Sequence, residues 1–422
     1  MLAAAIFQVA FFFAYRRKIN QTPNQKIDPD FQPRTAVILC LRGPDPSIER
    51  CLRSLAAQSY RNFELHLVAD DSKDPALAIA EDLIANDLLQ SGQPSADNRT
   101  QVAIEHQFHI LSKPLPTCSL KCSALIHAVS KLPDTVSVVA LIDADAVVSP
   151  NWLETLINPL ADPSVGASTA NRWFTVPVTQ KIGSAMRAVW NAAAVVQMSL
   201  YTIPWGGSLA IKRTVIDEAD LLERWSRSFC EDTLLTQVLH KRGLSVARPV
   251  ELIVVNDETI TCFNAYRWIR RQLLTVRLHH PSWRWVFLHG LSVGLPLFCA
   301  ELMFYAFYFN ATQAALILMA STILFEILSF ALLVGIQNVH RTLSQRAGGQ
   351  KSPENNSLFW YAIALPLTQM IHFSAALSAA LAKKVSWRQI DYRIGKSKVE
   401  LIEYEPFVPQ TISEKVELNS ID

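Results

Sequence analysis

The 422-residue sequence lacks several familiar nucleotide and hydrolase signatures. No Gly-x-Gly-x-x-Gly follows its first apolar run and no Gly-x-x-x-x-Gly-Lys-Ser/Thr occurs anywhere, which disfavours dinucleotide-binding dehydrogenases and P-loop ATPases. No Gly-x-Ser-x-Gly elbow is present, so an α/β-hydrolase has no support. The seven cysteines offer one close pair, Cys118 and Cys122, with no second pair at zinc spacing. An odd count in a chain this long is no disulfide framework and points to free thiols in a reducing compartment. Gly 13 and Pro 22 exclude collagen-like and low-complexity chains. Charge is also scarce: 18% of residues carry one, against the ~25% usual for soluble domains. Lys+Arg 39 against Asp+Glu 37 leaves a formal +2, so neither a basic nucleic-acid arm nor an acidic disordered tail is the main theme.

The scarcity is local. From Val286 to Gly335 the only charges are Glu301 and Glu326. A membrane helix needs ~20 apolar residues, and Val286–Phe309, Gln313–Gly335 and Leu358–Ala382 are each long enough. The N-terminal Met1–Tyr15 is uncharged and Phe-rich, then meets Arg16-Arg17-Lys18. It lacks the basic start and cleavage site of a signal peptide and is short for a full span. The basic residues that follow it place the next long segment in the cytoplasm. The third internal segment has basic residues on both flanks, Arg341, Arg346 and Lys351 before it and Lys383, Lys384 and Arg388 after it. One crossing cannot satisfy both, so either it re-enters at Pro366 or another span does not cross.

Between these segments, short apolar runs alternate with helical spacing. Thr35–Leu41, Phe63–Ala69, Val102–Leu111 and Val136–Ile142 read as strands; Ser47–Gln58, Asp74–Leu89 and Leu120–Leu132 read as helices. That alternation predicts an α/β fold with a mainly parallel, doubly covered sheet. Ligands of such sheets sit beyond the carboxyl ends of the strands. Asp70 and Asp71 follow the second strand there, and Asp143-Ala144-Asp145 follows Val136–Ile142. Carboxylates gathered on one rim invite a divalent cation, Mg²⁺ or Mn²⁺, which would bridge phosphate oxygens. Asp74 and Asp134 are read instead as caps of helices or turns.

These motifs together resemble the membrane-bound family-2 glycosyltransferases, nearest the ceramide glucosyltransferase-like branch. The resemblance runs from about Thr35 to Tyr392. It implies a GT-A-type nucleotide-binding domain with transmembrane and interfacial helices. Asp70 and Asp71 look like the aspartates that hold the donor's base, and Lys121 like the lysine that approaches the nucleotide. Asp143 and Asp145 look like the Asp-x-Asp metal motif, with Asp143 also on the nucleotide. Trp205-Gly206-Gly207 resembles the loop near donor sugar and acceptor, and Glu231-Asp232 the acidic pair that supplies the catalytic base. Arg267-Trp268 matches the end of a Gln/Arg-x-x-Arg-Trp motif whose first position is Asn264 here, a departure that leaves that contact open. Val385–Tyr392 resembles the Trp-Arg segment after the last membrane helix.

The chemistry can be stated without the analogy. A sugar leaving a nucleotide diphosphate makes a diphosphate anion, which a metal on Asp145, with Lys121 and Arg267, would stabilise. The acceptor hydroxyl needs a carboxylate base, and Asp232 is expected to serve, with Glu231 beside it. Attack opposite the leaving group inverts the anomeric carbon. Acidic residues also decorate helix N-termini without catalytic purpose. Asn264–Trp285 holds Arg267, Arg270, Arg271, Arg277 and Arg284, four Tyr/Trp residues and no acid. This describes a helix at the lipid headgroups, and Val178–Tyr201 is a second candidate. The expected partners are a nucleotide-sugar donor, a UDP-sugar, and a lipid acceptor in the membrane; nucleic acid is not one. The expected organisation is an N-terminal membrane helix (1–18), a cytosolic transferase domain (33–257), an interfacial segment (258–285), transmembrane helices (286–382) and a cytosolic tail (383–422). A processive polysaccharide synthase and a non-catalytic membrane scaffold are the alternatives.

Overall fold

The computed structural model describes residues 1–22, 27–85, 104–176, 182–346, 357–395 and 398–407. The chain divides into two discontinuous units: 1–24, 172–203 and 257–382 form one, and 25–171, 204–256 and 383–422 the other.

The second unit is built on a seven-stranded sheet. Its spatial order is Glu105–Ile110, Phe63–Ala69, Thr35–Leu41, Val138–Ile142, Ser208–Lys212, Val165–Thr169 and Ser245–Ala247. The first four run parallel, while Ser208–Lys212 is antiparallel to both neighbours. The fold of this unit is therefore α/β, with a mainly parallel central sheet. Phe63–Ala69 and Val138–Ile142 are buried throughout their length, as strands covered on both faces are; the first keeps Glu64 and His66 inside by pairing them with each other at 3.0 Å. The helix Ile48–Ala56 turns Ile48, Cys51, Leu52 and Leu55 inward. At about 1.5–3 kcal/mol per large apolar side chain, that face fixes the helix, and an acid at Leu52 would lift it off. Asp74 does cap the next helix, Pro75–Leu83: its side chain accepts the Ala76 N–H, with Pro75 in the first turn. Trp152 and Trp225 are wholly buried in this unit. A three-stranded antiparallel sheet, Lys384–Trp387, Ile390–Ile394 and Val399–Glu403, also belongs here. The unit thus takes in chain from beyond the last membrane helix, and the stretch 172–203 lies outside it.

The first unit is helical. Three of its helical stretches are long and apolar enough to cross a membrane: Trp283–Tyr308, Thr312–Gln345 and Leu358–Leu381. Leu295–Tyr308 buries none of its residues, and Phe304, Ile317 and Leu324 are about two-thirds exposed. Apolar side chains facing outward suit a hydrocarbon solvent rather than water. The first stretch starts inside the expected interfacial segment and breaks between Ser292 and Leu295. The last runs unbroken through Pro366, so the chain does not turn back at that proline. The expected N-terminal membrane helix is a helix, Leu2–Gln21, but it is not among the three spans. Its final turns carry Arg16, Arg17 and Lys18, which limits the uncharged stretch to fifteen residues. Lys18 Nζ donates to the Ser199 carbonyl at 2.5 Å. The amphipathic stretch expected over Val178–Tyr201 is the helix Ile182–Leu200; residues 177–181 lie outside the described residues.

Candidate active site

Sheet register brings the acidic residues to one rim. Thr35–Leu41 pairs in parallel with both Phe63–Ala69 and Val138–Ile142, so Asp70 and Asp143 leave the two strands that flank it at the same end. Ser208–Lys212 runs the other way, with Ile142 opposite Ser208. Its beginning, Gly206-Gly207, therefore meets the end of the strand before Asp143, and the Asp143 N–H donates to the Gly207 carbonyl at 3.3 Å.

The helix Leu120–Val129 starts at the cap Ser119, whose side chain accepts the Cys122 N–H. Lys121 thus stands in its first turn. Its Nζ lies 2.7 Å from Asp143 Oδ1 and 2.7 Å from Glu231 Oε1. Burial disfavours the Lys121 charge, but the two carboxylates outweigh it and hold the ammonium well above its ordinary range. Lys121 thus bridges two carboxylates.

Glu231 and Asp232 sit in a turn before the helix Leu235–His240. The reason is local: Asp232 Oδ1 accepts the Thr233 N–H at 2.5 Å and the Asp232 carbonyl accepts the Leu235 N–H. The turn is anchored by Trp225, whose Nε1 donates to the Glu231 carbonyl at 3.0 Å. Asp232 Oδ2 accepts the Gly206 N–H at 2.8 Å. Burial, reinforced by the neighbouring Glu231 carboxylate, pushes the Asp232 carboxyl up to about 6; the Gly206 N–H and Lys121 act in the opposite direction.

The glycines leave room for these carboxylates. A Cβ on Gly206 would stand 2.0 Å from Glu231 Oε1, and one on Gly207 2.3 Å from Asp143 Oδ2 and from the Trp205 ring. Trp205 is buried, and its N–H donates to Thr169 Oγ1 at 3.0 Å.

Asp70 is held apart from this cluster. Arg42 Nη1 pairs with its Oδ2, and Tyr404 Oη donates to the same oxygen at 3.1 Å. Burial raises its pKa, partly offset by Arg42. Asp70 Oδ1 is buried with no hydrogen-bond partner, an oxygen suited to a donor on a ligand. Asp71 supports the local turn, accepting the Lys73 N–H at 2.8 Å. Asn264, Arg267 and Trp268 lie on the helix Cys262–His279, which belongs to the first unit. There Trp268 meets Phe174 and Trp190 edge-on at 5.3 and 5.2 Å, Arg267 lies over the Phe263 ring, and the Asn264 N–H donates to the cap Thr261.

Sequence reading missed three contributors. Arg42 directly follows the first strand, a position as telling as that of Asp70. Tyr404 is more than three hundred residues from Asp70 and carried no signal. Asn256 Nδ2 donates to the Asp145 carbonyl at 2.7 Å and steadies the turn that carries both aspartates.

Among the described residues no group of three or more His, Cys, Asp or Glu side chains could enclose a metal ion. Two carboxylates on a strand-end turn still fit a hard cation that completes its shell with phosphate oxygens and water. Asp145, with Asp143, is the pair that would hold it. All seven cysteines are free, and burial pushes the Cys118 thiol up to about 11, away from metal-binding thiolate.

Residues 35–205 match the model of the family described as Glycosyl transferase family 2. The match includes Asp70, Asp71, Lys121, Asp143, Asp145 and Trp205 and stops before Glu231 and Asp232. An N-acetylglucosaminyltransferase of Rhizobium leguminosarum bv. viciae is 25% identical over 185 residues, which are 42% of this chain and 38% of that relative's length. A mannosyltransferase of Pyrobaculum calidifontis, solved with GDP-Man and Mn²⁺, is 18% identical over 90% of this chain and 98% of its own, with a TM-score of 0.45. Glucosyl-3-phosphoglycerate synthase of Mycobacterium tuberculosis, solved with Mn²⁺ and UDP-glucose, is 14% identical over 61% and 83%, with a TM-score of 0.35. Residues 35–205 of this chain are therefore similar to a Glycosyl transferase family 2 domain, on an α/β fold with a mainly parallel sheet.

Proposed function

We propose that this chain is an inverting glycosyltransferase. It moves a sugar from a nucleotide-diphosphate sugar, a UDP-sugar, to a hydroxyl of a membrane lipid. The observation that carries the reading is the buried Asp232 carboxylate, fixed by the Gly206 N–H beside the Lys121–Asp143–Glu231 cluster.

Asp232 takes the acceptor's hydroxyl proton as that oxygen bonds to the anomeric carbon. The carbon–oxygen bond to the diphosphate breaks, and the nucleoside diphosphate departs with the electron pair. Because entry and departure are on opposite faces, the anomeric centre inverts. A carboxyl raised toward neutrality is a better base than an ordinary aspartate and is still ionised at pH 7. Glu231 keeps Lys121 in place, and Lys121 holds Asp143 toward the rim. A divalent cation on Asp145 and Asp143, when bound, supplies charge neutralisation for the diphosphate. Asp70 Oδ1 accepts a donor from the nucleotide base. Asn264, Arg267 and Trp268 are assigned to the acceptor or diphosphate side on the strength of the motif alone.

Three apolar spans and the Arg-rich helix Cys262–His279, followed by Trp283 and Trp285 on the next helix, support a lipid acceptor. Arg16, Arg17 and Lys18 favour a cytoplasmic catalytic unit. The deciding experiment incubates the purified full chain in lipid nanodiscs with a panel of radiolabelled nucleotide sugars. Label extracted into organic solvent is the expected result, and a growing water-soluble polymer would overturn it.

A further inference from the structure

The helical unit contains a cavity of about 110 Å³. That is somewhat less than the ~150 Å³ of an engineered apolar cavity that binds benzene, so it has room for a segment of one hydrocarbon chain rather than a whole lipid. Val189, Trp190, Leu333 and Leu365 supply apolar wall. Among them stand Gln197, His289, Gln369 and His372, all at least nine-tenths buried. Gln369 is engaged by Glu326 at 3.3 Å. The two histidines are not satisfied: His289 Nδ1 and His372 Nε2 are buried with no hydrogen-bond partner. Their rings are 6.1 Å apart, and the His372 ring meets Trp190 edge-on, also at 6.1 Å. Unpaired imidazole nitrogens in an apolar chamber are costly unless a ligand supplies the missing partner.

Among the described residues the lining holds no Lys or Arg. A phosphate brought here would therefore lose its hydration without gaining a counter-charge. A hydroxyl or amide would lose little and could bond either nitrogen. We propose that this cavity binds the lipid acceptor as an uncharged amphiphile, one alkyl segment in the apolar part and a hydroxyl or amide at His289 and His372. The assignment to the acceptor rests on the lipid glycosyltransferase reading above; the binding chemistry does not.

The probe is a long-chain monoacylglycerol brominated on its alkyl chain, whose bromines quench nearby tryptophan. It is titrated into the detergent-purified full chain. Saturable quenching is expected, and a large part of it disappears in Trp190→Phe. Ala193→Phe and Val196→Phe fill the cavity and should each weaken binding about tenfold or more. The phosphate monoester of the same amphiphile should compete about tenfold less well. Replacing both histidines by Phe should abolish that preference. Unchanged quenching in both filled variants, or equal competition by the phosphate, overturns the cavity assignment.

Transfer assays then decide the acceptor role. Ala193→Phe should raise the acceptor KM about tenfold, while acceptor-independent hydrolysis of the nucleotide sugar stays at the wild-type rate. That rate also reports an intact catalytic unit. Weakened quenching with an unchanged KM would assign the cavity to a lipid other than the acceptor and overturn the proposal. A wild-type chain that binds the probe but transfers no sugar would overturn the glycosyltransferase reading while the binding chemistry stands.

Discussion

Asp232 Oδ2 lies 2.8 Å from the backbone nitrogen of Gly206, so the acidic turn and the glycine loop are fastened to each other through the carboxylate assigned as base. Asp232→Asn keeps an oxygen for that hydrogen bond and removes the basicity. Transfer should fall by about 10²–10⁴-fold with little change in thermal stability. Turnover above a few per cent of wild type would exclude Asp232 as the base.

The raised pKa of Asp232 gives opposite pH trends for activity and stability. The base must be ionised, so kcat/KM should climb as pH rises through about 6 and level off above. Folding itself favours the protonated form, because burial lifts the carboxyl above its ordinary value of 3.8. The folded chain then binds more protons than the unfolded one between those values, and this group's contribution to stability is lost as pH rises across that window. A pH–rate profile and melting temperatures from pH 4 to 8 test both signs.

Gly206→Ala would place a methyl 2.0 Å from Glu231 Oε1, so that carboxylate and its neighbour must move. A displacement of about 1 Å at a reacting group can cost ~10²-fold in rate. The expected variant is folded, binds nucleotide and is nearly inactive. Near-wild-type turnover would show that the loop does not position the base.

Removing Lys121 leaves Glu231, only 3% exposed at its side chain, as a buried charge without its ion-pair partner. Lys121→Met should cost about 3 kcal/mol. Adding Glu231→Gln should restore part of it, and a double-mutant cycle by chemical denaturation measures the coupling.

The donor's base is expected to bond to Asp70 Oδ1, whereas Asp71 is committed to its own turn. Asp70→Asn should weaken UDP binding about tenfold or more, and Asp71→Asn much less. Calorimetry with UDP at fixed metal concentration distinguishes them, and equal losses would undo the division of labour.

Chelation should abolish transfer, with Mn²⁺ or Mg²⁺ restoring it, and Asp145→Asn should raise the metal concentration needed. Full turnover in EDTA would remove the cation from the reaction.

The strand ends were readable because a short run rich in apolar residues and closed by charged or turn residues marks a buried strand, and the residue that follows it sits on the rim of the sheet. Thr35–Leu41 and Phe63–Ala69 have the bounds that their sequence implied. The antiparallel Ser208–Lys212 was harder: its five residues directly follow Gly206-Gly207, and a run that short after a glycine pair reads as part of the loop. Lys121 was legible as a residue but not as a bridge, since its partners are 22 and 110 positions away. The Arg42–Asp70–Tyr404 contact depends on chain reaching back over more than three hundred residues, and no local pattern encodes it.

That return has a consequence for biosynthesis. The Leu120 N–H, at the start of the helix that carries Lys121, donates to Tyr392 Oη at 3.1 Å, and the Leu401 N–H donates to the Pro116 carbonyl at 2.8 Å. These acceptors and donors emerge from the ribosome only after the last apolar helix. A nascent chain halted at Leu381 would hold most of its sheet but would lack both contacts. The order of translation therefore makes this rim one of the last parts of the second unit to be completed, after the whole of the last apolar helix.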